Sequence, residues 1–326
     1  MARAQPACRN DGALARAAAV ALLSNERGAF AIRDALAEVE SDLVGARALF
    51  VPRPDGRTPM PDAESAWLSE LAARADAPLV CGRALGESGE LVIAAPRAAR
   101  LQLRQHDTTR VFGWLAPGFD EPVLVVLGAD GQLSRRVVSR AMLSAGVDLD
   151  RSVQRPARVQ LVATGRFGPR PVAERVVLGN APRSVARSSG LPPSPDPQAP
   201  IKGSLNRLRR ARGVPAVRRH ALLRRLAAEH AYKVCESGRV AHALAIGADP
   251  TARLEARGVR AQRVGETVAR AEGPAAAFAA LTQSPSHLLA LVEPGFTDAG
   301  VGVATDATGH ACVVVLLARW PRFVGS

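Results

Sequence analysis

At 326 residues, the chain is too long for one ordinary hydrophobic core and has the size of two or three domains. Its apolar fraction of 47% is ample for burial, but no uninterrupted apolar run reaches the roughly 18 residues of a membrane-spanning helix, so no transmembrane segment is expected. The net charge of +13 invites a nucleic-acid reading, because clustered cations gain affinity for phosphate by releasing counterions. That charge is nearly all arginine, with Lys202 and Lys233 the only lysines, and it is spread along the chain. The densest run, Arg207 to Arg225, follows amphipathic helix spacing with no interleaved aromatic on which a base could stack. A solvated helix face is the better reading, and nucleic acid is not the expected partner.

The opening MARAQPACRND lacks the apolar core of a secretory signal. Pro6-Ala7-Cys8 fits the remnant of a processed site, in which case the signal lies outside this chain. Residues 1–98 read as an α/β domain. Helices are expected over GALARAAAVALLSN, AFAIRDALAEVESDL and AESAWLSELAARA, followed by the strand pair PLVCGRALGESGELVIAAP. Residues 99–182 offer VFGWL, PVLVVLG, RRVVSR, ARVQLVATG and PVAERVVLG, which predict a small antiparallel β-sandwich. Val159, Leu161 and Ala163 alternate with polar or glycine neighbours, as one buried sheet face requires. Across 183–203, prolines and serines replace the apolar periodicity and predict an extended linker.

The last domain, 204–326, opens with Ser204 as the expected N-cap of a helix that Gly213 terminates. A second helix is predicted from about Val217 to Glu236. Its apolar face holds Leu222, Leu223, Leu226, Ala227, His230, Ala231 and Val234, which makes His230 a core histidine before it is a ligand. The closing GVGVATDATGHACVVVLLA repeats the form of the earlier strand pair. Aligned without gaps, Gly82 meets Gly302, Ala84 meets Ala304 and Gly89 meets Gly309. Hairpins are common, so chance likeness and a degenerate internal copy both stand. Cys8, Cys81, Cys235 and Cys312 lack metal-ligand spacing. In an oxidising compartment they permit one disulfide in each terminal domain, while buried free thiols are as good a reading.

A set of short motifs in the final domain resembles the bacterial branch of the CAP superfamily, related to cysteine-rich secretory proteins, antigen 5 and pathogenesis-related proteins. They are Asn206, Arg209 and Gly213; His230-Ala231; Val240-Ala241-His242; Pro250, Arg253, Leu254 and Gly258; Gly265-Glu266-Thr267; Ser284-Pro285-Ser286-His287; and Phe296 with Gly300-Val301-Gly302-Val303. Each fragment is unspecific; their shared order carries the resemblance. It implies an α+β multidomain chain ending in an α-β-α sandwich, with a cleft gathering His242, Glu266, His287 and His230, in an extracytoplasmic compartment. Departures are Thr267 where the family has asparagine, Val240-Ala241 where it has Phe-Ser, and a last strand without polar residues.

Two imidazoles and a carboxylate suit zinc, so His242, His287 and Glu266 are the candidate metal ligands. Without metal the same groups could bind an anion or move a proton. No nucleophile elbow, glycine-rich phosphate loop or HExxH occurs. The expectation is therefore a secreted or cell-envelope binding module for a lipid, a glycan or a protein. A zinc-assisted hydrolase and an arginine-rich structural protein holding anionic polymers are the alternatives.

Overall fold

The computed structural model describes residues 8–24, 28–52, 61–105, 109–177 and 199–321. The chain is mixed α and β and divides into two compact units, residues 1–166 with 170–182 and residues 167–169 with 183–326. No helix among the described residues is long and apolar enough to cross a membrane.

The first unit begins with β1 (Arg9–Asn10), α1 (Gly12–Ser24), α2 (Ala29–Glu38), β2 (Arg47–Pro52), α3 (Pro61–Arg74), β3 (Leu79–Gly86) and β4 (Gly89–Pro96). The strands lie in the order β1-β3-β4-β2, with β1 parallel to β3 and the other pairs antiparallel. Asp11 starts α1 by accepting the amides of Ala13 at 3.0 Å and Leu14 at 3.1 Å. Leu14, Ala17, Ala18 and Ala21 then pack with Ile32 and Leu36 over Leu91, Ile93 and Ala95. On the other face Leu68 of α3 meets Leu79, Cys81 and Ala94; the two-residue period of a strand sends neighbours to opposite layers. Cys8 is joined to Cys81. The sequence pattern located the three helices and the hairpin but not β2, a half-buried edge strand too short for its alternation to stand out.

The unit continues with β5 (Ala99–Gln105), β6 (Thr109–Leu115), β7 (Asp120–Leu127), β8 (Leu133–Val137), α4 (Arg140–Ala145), β9 (Val147–Asp148), β10 (Ala157–Gly165) and β11 (Gly168–Val177). They form two sheets, β11-β10-β7-β8 and β5-β6-β9. One core joins Leu101, Val111 and Leu115 to Leu124, Val159, Leu161 and Ala163. The short α4 was not expected from the sequence; Ser139 caps it by accepting the Met142 amide at 3.1 Å.

The second unit contains α5 (Ala199–Ala211), β12 (Arg218–Arg219), α6 (Ala221–Ser237), α7 (Pro250–Glu255), β13 (Arg263–Ala271), α8 (Pro274–Gln283), α9 (Pro285–Leu291), β14 (Asp298–Thr305) and β15 (Ala311–Arg319). The expected linker lies outside the described residues up to 198, and residues 199–203 already belong to α5. Proline in a first turn gives up no helical hydrogen bond, so Pro200 does not delay the start. Ser204 is thus inside the helix, where its Oγ accepts from Arg207 Nη2 at 2.8 Å, instead of capping it. Gly213, with φ +67°, closes the turn after α5. The next helix also starts later than its pattern suggested, because Arg218 and Arg219 pair in parallel with Asp298 and Ala299.

The sheet order is β12-β14-β15-β13. Val313, Val315 and Leu317 pack against Ile201, Leu205, Phe278, Leu281 and Leu291 from α5, α8 and α9. Cys312, Val314, Leu316 and Ala318 face Leu223, Leu226, Ala227 and Val234 of α6. This alternation makes three layers, α-β-α. Glycines bring α6 onto the sheet: a Cβ at Gly300 or Gly302 would stand 2.1 Å from helix backbone. Cys235 at the end of α6 is joined to Cys312. The Asn206 and Arg209 of the first motif hold the opposite layer. Asn206 both donates to and accepts from the Val217 backbone, at 3.1 and 3.0 Å. Fully buried Arg209 donates to the carbonyls of Pro215, Leu291, Glu293 and Phe296, and this burial depresses its pKa below the ordinary arginine value.

Candidate functional site

The site is built around one carboxylate. Glu266 lies on β13 on the same face as Val264 and Val268, which point to the α6 layer, and its side chain is 1% exposed. A buried anion needs a counter-charge, and Arg253 supplies it through Nη2 on Oε2. The arginine is delivered by α7, which starts where Asp249 accepts the amides of Thr251 at 2.9 Å and Ala252 at 3.0 Å. Leu254, fully buried, anchors that helix.

His242, in the loop between α6 and α7, places Nδ1 3.0 Å from Glu266 Oε1. Nδ1 therefore carries the hydrogen and donates, which leaves Nε2 as the nitrogen available to a ligand. His230 reaches the cluster from α6: its Nε2 lies 2.9 Å from Ala241 O and 3.8 Å from Glu266 Oε1. It fixes the backbone just before His242. Burial holds its pKa below the ordinary histidine value, against the pull of Glu266, with Arg253 and His242 lowering it further. His230 is thus a neutral donor.

The structure brings together His242, Glu266 and His230 and adds Arg253, which the sequence offered only as a motif position. His287 stands on α9, in the layer facing away from α6, with Nδ1 2.9 Å from Ser284 Oγ. Among the described residues no three histidine, cysteine, aspartate or glutamate side chains gather to hold a metal ion. The donor set does not suit zinc in any case. Both Glu266 oxygens are engaged, and the guanidinium on Oε2 would repel a divalent cation. Thr267, in the place of the family's asparagine, is fully buried with no partner for its Oγ1 among the described residues.

Residues 203–317 match the profile of CAP, the cysteine-rich secretory protein family. The C-terminal part of this chain is a CAP domain. Similar solved structures include an outer surface protein from Borrelia burgdorferi, at 20% identity, covering 40% of this chain and 96% of that one, with a TM-score of 0.37. An extracellular protein containing a SCP domain from Bacillus anthracis is 16% identical, covers 68% of this chain and 86% of its own, and scores 0.35. A cysteine-rich secretory protein from Staphylococcus aureus is 10% identical, with coverage of 67% and 83% and a score of 0.32. Scores this low establish no shared activity. No curated protein matches the chain significantly.

Proposed function

We propose that this chain is an extracellular binding protein whose CAP domain recognises its ligand at His242 without turning it over. The observation that carries this reading is the state of Glu266: enclosed, ion-paired to Arg253 and bonded to His242. A carboxylate held this way orients an imidazole, as a third group does in a hydrolytic triad, but no hydroxyl or thiol among the described residues is hydrogen-bonded to His242 for it to activate. The same saturation argues against the zinc hydrolase. His242 with its half-buried surroundings suits a hydrogen-bond acceptor or donor on a lipid, glycan or protein ligand. The family's secretory character and two disulfides support the compartment.

We read the rest of the chain as a central β-sandwich over 99–182 and an N-terminal domain, 1–98, and of the two readings the sequence left open for that domain we take the reduced copy of the CAP domain. Support for the copy comes from register. Each sheet has a two-residue strand parallel to the first strand of a hairpin and a far edge strand antiparallel to the second. Gly82 meets Leu14 and Ala15 of α1 as Gly300 meets Leu223 and Arg224 of α6. Gly82 therefore matches Gly300, two residues away from the ungapped alignment. In this register Ala21 stands for His230 and Ala48 for Glu266, so the copy has no site.

The test is an activity survey of purified protein, with and without added zinc, on peptide, lipid and cell-wall substrates. No turnover is expected. Hydrolysis that His242→Ala abolishes would overturn the proposal.

A further inference from the structure

The second edge of the CAP sheet carries a cavity unrelated to the Glu266 cluster. It has a volume of about 610 Å³ and opens between α5, β12, the start of α6 and β14, whereas Glu266 lies on β13 at the opposite edge. Its rim holds Lys202, Arg207, Arg210, Arg218, Arg219 and Arg224, the arginine run that first read as a solvated helix face. Its wall is apolar, formed by Leu205, Val217, Ala299 and Val301. Volume and wall are those of a small-molecule pocket.

Three of these charges have no counter-charge among the described residues. Arg218 is paired with Asp298 at 3.1 Å, and Arg207 donates to Ser204. Arg210, Arg219 and Arg224 are exposed and have no ion-pair partner among the described residues. His220, also in the lining, has a buried Nδ1 with no hydrogen-bond partner among the described residues. It occupies the N-cap of the 17-residue α6 without a side-chain cap bond, so the positive end of that helix adds to the arginine field. Guanidinium groups at the rim of an apolar wall select a ligand with two parts: an oxyanion for the arginines and a hydrocarbon for the wall.

We propose that this cavity binds an anionic amphiphile, a single hydrocarbon chain ending in a phosphate-like oxyanion, at a site separate from His242. Lone phosphate leaves the wall uncovered, and a polyanion follows surface charge without needing a cavity. Neither uses both features.

Calorimetric titration of the intact, disulfide-bonded protein at physiological salt tests this, with inorganic phosphate, hexyl phosphate, dodecyl phosphate, dodecyl maltoside and a short single-stranded oligonucleotide as probes below their micellar concentrations. Affinity is expected to rise from phosphate through hexyl to dodecyl phosphate, with no saturable binding of dodecyl maltoside. Arg219→Ala combined with Arg224→Ala, both at exposed positions, should weaken dodecyl phosphate at least about tenfold, as loss of a charge-assisted bond does, with circular dichroism and Tm unchanged. Equal affinity for phosphate and dodecyl phosphate would reduce the site to a free-anion site. Tighter binding of the oligonucleotide, insensitivity to the double substitution or no binding at all would equally overturn the proposal.

Discussion

Arg253 and Arg209 are both enclosed guanidinium groups, and they differ in what answers them. Arg209 faces four backbone carbonyls, whereas Arg253 depends on Glu266, and its Nε and Nη1 have no partner among the described residues. Removing the one carboxylate should therefore strand a buried charge. Glu266→Gln is expected to cost about 3–5 kcal/mol, read as a lower urea midpoint. Adding Arg253→Met should recover part of that loss, since the two residues act as a pair. The motif set pointed to His242 and Glu266 because both sit in short ordered fragments. It did not reveal the role of Arg253, because the helix and turn between it and Glu266 leave no spacing rule to read. His287 was nominated by the same kind of fragment, yet α9 carries it in another layer. A motif reports where a residue stands in the chain, not which face of a sheet its element covers.

At the scale of elements, helix and sheet meet most closely where the strand has no side chain. A Cβ at Gly82 would lie 2.0 Å from Ala15 N, and one at Gly300 2.1 Å from Arg224 N. Gly82→Ala and Gly300→Ala should each destabilise by about 3 kcal/mol, the upper range for overpacking. Gly273→Ala, where nothing lies within 4 Å, should cost about 1 kcal/mol or less. Thermal melting of the three variants checks this ordering. The long elements were legible because their periods are strong: α1, α6 and the two hairpins each repeat their burial over several turns or residue pairs. Two of the strands the sequence did not show are too short for any pattern. β1 and β12 have two residues each, fewer than a period needs, and they form because the segment entering each helix lies against a hairpin edge. In the copy proposed above, the two-residue shift in matching Gly82 has a related origin: identity of letters aligns Gly82 with Gly302, while the closest helix contacts align it with Gly300.

For the whole molecule, the two disulfides each close a long loop, with sequence separations of 73 and 77. Loops of that length restrict the unfolded chain by roughly 4 kcal/mol in the entropy model, and 2–4 kcal/mol is the usual yield. Replacing Cys235 and Cys312 by serine should lower amide protection in residues 199–321, and replacing Cys8 and Cys81 should do so in residues 8–177; hydrogen exchange distinguishes the two outcomes. The bridges are not placed alike. Cys8–Cys81 ties the entry segment to the first hairpin strand, while Cys235–Cys312 ties the end of a helix to the second. Each bridge nevertheless joins cysteines that are consecutive along the chain. A polypeptide emerging N-terminus first thus meets the partner of Cys8 before Cys235 appears, and the last two cysteines find the first pair already spent. Oxidation in order of appearance gives the native pairing, so correct folding of this chain places little demand on a disulfide-shuffling catalyst.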